Sequence, residues 1–385
     1  MAKNPLDLPA STLNRIPLPS RYAKLPNAHQ VYAAICYTLS ERRDQVDWGS
    51  FTPRHWKLLE RMAQNEGVAP LMYWNFKDSA LPVPEQTFKY LQGEYYKTYA
   101  RNTLLYQELG RILQALDEAG IPVIVLKGAA LAVTVYEDIG LRPMTDLDLL
   151  VLPSDLEQAI IKIKQSGFEL EKASYHIVFS DGSSDINVEL HWHLASMVDD
   201  GYQGDEHFYR YENSSLAEPM YLLRPAADLL YLAAHLSIQH NQDPFRLLWL
   251  NDFYQLLVQN EHVLDWDWLD ERLENQDLRV YMQEVIQAII PRWGFNCAEV
   301  ILILEGMCKK TEGVEIRNPD PTEDIRKFLL SKSWGYLNWS MRLRIIGWLL
   351  FPSSAYLRWR YGIRNAWQTI FYYPYRWVDI YLESD

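Results

Sequence analysis

Two aspartates inside an apolar run are the residues of this chain whose types and spacing best suit chemistry. Asp146 and Asp148 flank Leu147 and precede the apolar residues 149–151. Because strand side chains alternate between two faces, both carboxylates should share one face while Leu147 points into the core. Like charges at that separation repel each other unless a cation lies between them. We therefore predict a site for Mg²⁺ or Mn²⁺, since magnesium binds through one or two carboxylates together with water and substrate phosphate.

A third carboxylate is needed for a site that holds two metal ions, and Glu189 is the best candidate. It lies in the apolar stretch 186–192, where a neighbouring strand would bring it alongside the aspartates. Two divalent cations held by three acids can bind a triphosphate and activate the attacking oxygen of an in-line displacement. The predicted catalytic and metal-binding residues are therefore Asp146, Asp148 and Glu189; an ordinary exposed strand residue is the alternative for Glu189.

Lys127 and Gly128 follow a β-branched run and precede a predicted helix. The N–H groups and the dipole at the beginning of a helix attract phosphate. Lys127 and Arg142 would add positive charge, and the planar guanidinium of Arg142 suits bidentate phosphate contact. We predict that Lys127, Gly128 and Arg142 bind nucleotide. The alternatives are a solvent-exposed strand end for Lys127 and an ion pair with Asp138 for Arg142.

Two pairs of histidines raise the alternative of a zinc site. His191 and His193 share a strand face with Glu189, whereas His235 and His240 lie on a later predicted helix. Neither pair has a strong zinc-ligand spacing, and residues five apart on a helix point in different directions. We therefore expect these histidines in the core or around the acidic site, with His191 and His235 as candidates for that surrounding layer or for an acceptor cleft.

The order of predicted elements is helical, then mixed, then helical. Leu105, Leu109 and Leu116 belong to a three- and four-residue spacing that marks one buried helix face, and Gly120 ends that helix. A helix is expected over 129–137, and Ser154 with Glu157 resembles a capping box at the start of another. The predicted strands are 121–126, 146–152, 168–172, 175–180 and 186–192.

We predict an α+β fold in which a small mixed sheet, the nucleotide-handling core, is flanked by N-terminal and C-terminal helical regions. The expected segments are a poorly ordered arm (1–28), a helical region (29–120), the core sheet (121–220), a helical domain (221–330) and an aromatic and basic helical segment (331–385).

Motifs along residues 126–192 together resemble the uncharacterised bacterial nucleotidyltransferase family of the polymerase-β-like superfamily. They are Leu126-Lys127-Gly128, Leu131, Tyr136, Arg142, Asp146-Leu147-Asp148 and Val188-Glu189-Leu190-His191-Trp192. Residues 229–252 are similar to that family's helical motif after the sheet, and the likeness extends over residues 30–255. Gly128-Ala129 stands where the superfamily usually has Gly-Gly or Gly-Ser, and the spacing from glycine to acid is longer than usual.

The resemblance implies a nucleotidyltransferase that uses Mg²⁺ and a nucleoside triphosphate, with ATP expected. It implies metal ligation by Asp146 and Asp148, with Glu189 as the third acid, which in that superfamily often helps to activate the acceptor. In the helical motif, Arg246 and Asp252 either touch substrate or form structural ion pairs. The expected reaction moves an NMP to an unidentified protein or small-molecule acceptor; the alternative is a catalytically inactive binding or scaffold protein with this fold.

Charge and aromatic residues are distributed unevenly along the chain. The formal net charge of -13 argues against extended nucleic-acid binding. The N-terminus lacks the order of a signal peptide, so a cytoplasmic protein is expected. Between Ile325 and Val378, however, nine residues are basic and none is acidic, and fourteen aromatics lie between Ser331 and Val378. This segment is a packed cap with Trp339, Trp348, Trp359 and Trp367 in its core, a peripheral membrane contact through 331–378, or a site for an anionic acceptor.

Overall fold

The chain divides into two compact units that alternate along the sequence. The computed structural model describes residues 16–40, 42–173, 176–182, 186–192, 194, 208–211, 220–239, 245–274, 276–293, 306, 339–351, 357, 366–375 and 377. We call the units the helical unit (Met1–Thr103, Leu131–Met144 and Pro225–Arg317) and the sheet unit (Leu104–Ala130, Thr145–Arg224 and Asn318–Asp385). The five consecutive segments expected from the sequence stay a prediction.

The α+β class is confirmed, with a mixed sheet between helical stretches of the sequence. The described α-helices are α1 (Ala28–Leu39), α2 (Pro53–Asn65), α3 (Ala69–Lys77), α4 (Glu85–Asp117), α5 (Lys127–Thr134), α6 (Leu156–Gln165), α7 (Pro225–Gln239), α8 (Leu247–Asn260), α9 (Trp266–Arg272), α10 (Gln276–Trp293) and α11 (Trp339–Leu350). Short 3₁₀ helices span Ser20–Tyr22, Arg43–Gln45, Trp48–Ser50, Ile139–Leu141 and Ala366–Tyr372. No helix in the described part of the chain is long and apolar enough to cross a membrane.

Seven described strands form one sheet in the order β3-β4-β5-β2-β1-β7-β6. The strands are β1 (Ile124–Leu126), β2 (Asp146–Leu150), β3 (Glu169–Ala173), β4 (Ile177–Ser180), β5 (Asn187–His191), β6 (Phe208–Tyr211) and β7 (Met220–Leu223). β2 pairs with β5 in parallel, as does β1 with β7, and the other neighbouring pairs are antiparallel. The five predicted strands are therefore confirmed as β1 to β5, four of them with shorter bounds and β3 shifted by one residue, whereas β6 and β7 were not predicted.

The C-terminal half of helix α4 buries the apolar face that the three- and four-residue spacing predicts. Leu105, Leu109 and Leu116 are all completely buried. Gly120 has a φ of +70° shortly after the helix, a conformation that costs glycine little because it has no Cβ. The chain then enters β1, so the end of α4 and the glycine turn position the strand that leads into Lys127.

The capping box expected at the start of α6 is wrong. The helix begins at Leu156 with Asp155 as its N-cap, and no side chain caps it by a hydrogen bond. The Ser154 hydroxyl lies 3.4 Å from the Asp155 carboxylate instead. The three-residue turn before the helix moves its beginning past Ser154, so the predicted reciprocal bonds do not form.

In the helical unit, the buried Glu66 ties the segment before α1 to the beginning of α8. Its carboxylate accepts hydrogen bonds from the Tyr22 hydroxyl at 2.8 Å and from the Leu247 backbone N–H at 3.0 Å, and it also pairs with Arg21. Leu247 is the first residue of α8, whose early N–H groups need acceptors from outside the helix. Glu66 therefore caps α8 from a distant part of the sequence.

Candidate active site on the sheet

The pairing of β2 with β5 places two acidic residues side by side. Asp148 lies opposite Glu189 in this parallel pair, and on the other side of β2 it lies opposite Leu126 of β1. Lys127 follows Leu126 directly, at the end of β1. Three residues that are far apart in the sequence, Lys127, Asp148 and Glu189, are thus brought to one place in the sheet unit.

The side chains at this place form a compact polar cluster. The Lys127 ammonium nitrogen Nζ is 2.6 Å from Oδ1 of Asp148 and 3.9 Å from Oε2 of Glu189. The His191 Nε2 atom is 3.1 Å from the same Asp148 oxygen and 3.7 Å from the same Glu189 oxygen. His176, directly before β4, brings its Nε2 to 3.7 Å from Glu189 and its ring to 5.2 Å from that of His191.

Burial makes the charges of this cluster interact strongly. Burial raises the pKa of Asp148, but Lys127 and His191 outweigh that effect and hold it well below its usual range. Burial, then the Asp148 charge, raises the pKa of Glu189 to about 8. Burial lowers the pKa of His191. The Lys127 ammonium therefore stabilises the charged form of Asp148, whereas Glu189 has too little positive charge nearby to stay ionised as easily.

The donor atoms of Asp148, Glu189 and His191 fit a divalent cation. One ligand atom from each lies within 4.8 Å of the other two, and these residues are the one such group in the described part of the chain. Two carboxylates and an imidazole suit divalent ions of the Mg²⁺, Mn²⁺ and Zn²⁺ range. Because the Lys127 ammonium already pairs with Oδ1 of Asp148, a cation bound to this carboxylate would lie beside the ammonium or displace it.

Asp146 lies at the edge of this cluster. It is half-buried, two residues before Asp148 on β2 and opposite Asn187 of β5. Its charge contributes to the raised pKa of Glu189, after burial and the Asp148 charge. The structure thus brings Asp146 within electrostatic range, although the group of three possible ligands consists of Asp148, Glu189 and His191.

Lys127 is held in an unusual backbone conformation. Its φ is +49°, and Asn27 is the other described residue besides glycine with a positive φ. A side chain disfavours the left-handed region, so a lysine there carries a local conformational cost. It begins α5, whose first turn is anchored by the Tyr106 hydroxyl donating to the Ala129 carbonyl at 2.7 Å. The turn places the ammonium at the acids and the N–H of Gly128 at the beginning of the helix.

Arg142 belongs to the helical unit, where it forms a buried ion pair. Its Nη2 is 2.8 Å from Oδ2 of Asp252, and its Nε is 3.3 Å from the same oxygen. The Tyr136 hydroxyl donates to the other Asp252 oxygen at 2.7 Å, and Asn102 donates to the Arg142 carbonyl at 2.9 Å. The expected alternative pair with Asp138 is not what the structure shows: Asp138 accepts a hydrogen bond from Gly140 at 2.7 Å.

The remaining predicted residues are placed as follows. The His235 ring stacks on Tyr231 within α7 at a centroid distance of 6.0 Å. Arg246 precedes α8 and donates from Nε to the Asn65 carbonyl at 3.1 Å. His193 and His240 lie outside the described residues.

His176 is the member of the cluster that the sequence reasoning missed. It is 13 residues before Glu189, with a turn between them, and nothing in its own surroundings signals a site. The register of the β4–β5 hairpin places it there. Ile177 pairs with Leu190, so His176, one residue earlier, falls opposite His191. Counting back from the turn around Gly182 would have found it.

A mixed sheet with acidic side chains on two neighbouring parallel strands, next to a strand-to-helix turn, fits a protein of the nucleotidyltransferase type. The chain belongs to the family of uncharacterised nucleotidyltransferases, which matches residues 52–288. The family resemblance noted in the sequence is thereby confirmed.

Two solved structures are similar to parts of the chain. One is the antibiotic-resistance factor ANT(2'')-Ia, at 14% identity and a TM-score of 0.33, covering 46% of this chain and 89% of that protein. The other is an antigenic nucleotidyltransferase-like protein from Paracoccidioides brasiliensis, at 16% identity and a TM-score of 0.35, covering 51% of this chain and 91% of that protein. No curated protein matches the chain.

Proposed function

We propose that the chain transfers an NMP from an NTP, with ATP as the expected donor, to a protein or small-molecule acceptor. The observation that carries this proposal is the group of Asp148, Glu189 and His191 within 4.8 Å of one another, in a chain of the nucleotidyltransferase family. An acceptor oxygen or nitrogen would attack the α-phosphate, and pyrophosphate would leave. Asp146, Asp148 and Glu189 are the proposed metal-binding and catalytic residues, and His191 is proposed as an additional metal ligand.

The chain's own residues would bind and orient the triphosphate. A bound divalent cation would supply charge to neutralise the phosphoryl oxygens. Lys127 would place an ammonium against the same oxygens, next to the N–H groups at the beginning of α5, which include that of Gly128. Because Lys127 is held by the β1–α5 turn, its charge is positioned before the nucleotide arrives.

The proposed metal preference follows from the imidazole in the cluster. Mg²⁺ prefers oxygen ligands, whereas Mn²⁺ and the later divalent metals also accept imidazole nitrogen. The His191 Nε2 lies within 3.7 Å of both Asp148 and Glu189 oxygens. We therefore expect Mn²⁺ to bind this site more tightly than Mg²⁺, and replacement of His191 by glutamine to narrow that difference.

The contacts of Arg142, Arg246 and Asp252 favour structural roles over the substrate contacts expected from the sequence. Arg142 and Asp252 satisfy each other inside the helical unit, where both are buried. Arg246 donates to a backbone carbonyl beside α8. We therefore assign the proposed nucleotide contacts to Lys127 and Gly128, and a structural ion pair with Asp252 to Arg142.

The experiment supplies the purified protein with each α-³²P-labelled NTP, Mn²⁺ or Mg²⁺, and a cell extract as the source of acceptors. Label in precipitated protein identifies a protein acceptor, and label in the small-molecule fraction identifies a metabolite. An NTP labelled at the γ-phosphate should leave the acceptor unlabelled, which distinguishes nucleotidyl from phosphoryl transfer. Asp148→Asn should abolish labelling, whereas the exposed control Asp117→Asn should not.

The second candidate is a binding or scaffold protein, favoured by the Lys127–Asp148 ion pair. That contact neutralises Asp148 without any metal. A scaffold predicts that the wild type binds neither Mn²⁺ nor NTP in calorimetric titrations and labels nothing. Metal binding that disappears in Asp148→Asn would exclude it.

A further inference from the structure

Large apolar side chains are concentrated on the surface of the last described part of the sheet unit. Of the thirteen large apolar side chains exposed among the described residues, eight lie between Trp339 and Trp377. The other five are scattered over residues 96–263. Single exposed apolar residues are ordinary, whereas a concentration of them marks a contact surface.

Helix α11 contributes one apolar stripe to this surface. Trp339, Leu343, Gly347 and Phe351 follow one another at intervals of four residues, which places them on one face of a helix. Trp339 is 73% exposed, Leu343 63% and Phe351 56%. The Phe351 backbone N–H donates to the Gly347 carbonyl at 2.8 Å, so the helical path extends to Phe351.

The segment 366–377 contributes a second stripe with helical spacing. It consists of Trp367 (68% exposed), Ile370 (65%), Phe371 (63%) and Tyr375 (63%). The two stripes are tied together by Trp377, whose Nε1 donates to the Leu350 carbonyl at 2.8 Å and whose ring meets that of Phe351 edge-on at 5.5 Å. We call the exposed residues of both stripes the aromatic surface.

This arrangement corrects one alternative for the C-terminal segment. A packed cap would have placed Trp339 and Trp367 in its core, but both are largely exposed. The side chains of Trp348 and Trp359 lie outside those that the structure describes. The described part of the segment has contacts of its own, yet it leaves Trp339 and Trp367 on the outside.

The charge of the segment identifies the partner that suits the aromatic surface. Nine basic residues and no acidic ones lie between Ile325 and Val378, in a chain whose formal net charge is -13. The Arg342 guanidinium lies 5.5 Å from the centre of the Trp339 ring, so a cation and an aromatic group are presented together. Tryptophan and tyrosine favour the headgroup level of a bilayer, and arginine is attracted to anionic lipid phosphates.

We propose that the aromatic surface, formed by exposed side chains of residues 339–351 and 366–377, binds the surface of a bilayer that contains anionic phospholipids. The apolar stripes would enter the boundary between headgroups and acyl chains, while the basic residues would contact the lipid phosphates. This inference is independent of the proposed nucleotidyl transfer. It requires that binding depend on both the exposed aromatics and the lipid charge.

The test is flotation of the full-length protein with vesicles of phosphatidylcholine and phosphatidylglycerol, compared with vesicles of phosphatidylcholine alone. Trp367→Ser with Phe371→Ser should weaken binding at least about tenfold, because two exposed anchors are removed. Tyr96→Ser with Leu104→Ser removes two exposed apolar side chains from α4, 57% and 52% exposed, and should leave binding unchanged. Circular dichroism of each variant checks that folding is retained.

The charge requirement is tested separately. Arg342→Gln should weaken binding to the mixed vesicles about fivefold, the effect of one basic residue near an anionic surface. Raising the salt concentration to about 1 M should release the protein, because the Debye length falls to about 3 Å. Equal binding to both kinds of vesicle would overturn the anionic-lipid assignment. Absence of flotation would overturn the proposal. If the wild type then self-associates with increasing concentration or binds RNA, and the Trp367/Phe371 variant does not, the surface belongs to that partner instead.

Discussion

Replacement of Lys127 by methionine should destabilise the protein and make its stability more dependent on metal. The change removes the ammonium 2.6 Å from the buried Asp148 carboxylate but keeps a long apolar side chain. His191 then remains as a hydrogen-bonding neighbour of Asp148, at 3.1 Å. Breaking a buried ion pair by removing one partner typically costs roughly 3–5 kcal/mol, because the other charge stays buried without compensation.

The size of the expected thermal shift follows from this cost. In a domain of 150–250 residues, 1 kcal/mol moves the unfolding midpoint by about 2–4 °C, so the metal-free variant should melt roughly 6–20 °C below the wild type.

Mn²⁺ at 100 times its dissociation constant stabilises a folded protein by about 2.7 kcal/mol. The Lys127 ammonium repels a bound cation: two unit charges 4 Å apart repel by about 4 kcal/mol at an effective dielectric constant of 20. Relief of only about a third of that energy, roughly 1.4 kcal/mol, changes the affinity for the cation tenfold. Loss of the competing ammonium should therefore tighten Mn²⁺ binding by about tenfold.

The assay is thermal unfolding, followed by circular dichroism, with and without Mn²⁺, together with calorimetric titration of Mn²⁺. Lys89→Met is the matched control, since Lys89 pairs with Glu85 on an exposed helix surface. It should change neither the midpoint nor the metal response. A Mn²⁺-induced increase in the midpoint that is no larger in Lys127→Met than in the wild type would refute competition between the ammonium and the cation. An unchanged midpoint without metal would refute the energetic importance of the ion pair.

Three further predictions test the rest of the molecule. Burial, then the Asp252 charge, raises the pKa of Asp228 to about 7. The protonated carboxyl therefore contributes its full stabilisation below pH 4, and this contribution is lost as pH rises through 7. Asp228→Asn should have a free energy of unfolding up to roughly 4 kcal/mol above that of the wild type at pH 8, but no such advantage at pH 4, measured by urea unfolding. Arg142→Ala should cost roughly 3–5 kcal/mol of unfolding free energy by leaving Asp252 unpaired, with NTP affinity unchanged, and weaker NTP binding without loss of stability would restore its predicted nucleotide role. Glu189→Gln should slow NMP transfer by a factor of about 10² or more, with NTP binding retained in equilibrium dialysis.

Local pattern was sufficient to predict strands β1 to β5 and the acidic pair, whereas β6 and β7 were not predicted. Asp146 and Asp148 could be assigned to one strand because apolar residues alternate with them, and Leu147 is completely buried as expected. The buried face of α4 was predicted for the same reason: its spacing repeats within one continuous segment. In both elements the information lies within a few residues.

Contacts between distant segments could not be predicted in this way. Arg142 and Asp252 are 110 residues apart, and nothing near either residue indicates its partner. His176 required knowledge of the β4–β5 register, and the Lys127–Asp148 pair required that β1 lie beside β2. Such pairings follow from the strand order of the complete sheet, which a single sequence does not specify.

The energetics of the cluster favour a functional origin over a structural one. Buried ion pairs are often replaced by apolar residues of similar volume with no loss of stability, or with a gain of about 1–4 kcal/mol. A scaffold would thus gain nothing from holding the buried Asp148 together with Glu189 and Lys127 on the sheet. The raised pKa of Glu189 shows that the Lys127 charge does not offset both acids. Burying two carboxylates beside one ammonium costs free energy in the protein alone. The cluster becomes favourable once a divalent cation supplies the missing positive charge and a nucleotide binds to that cation.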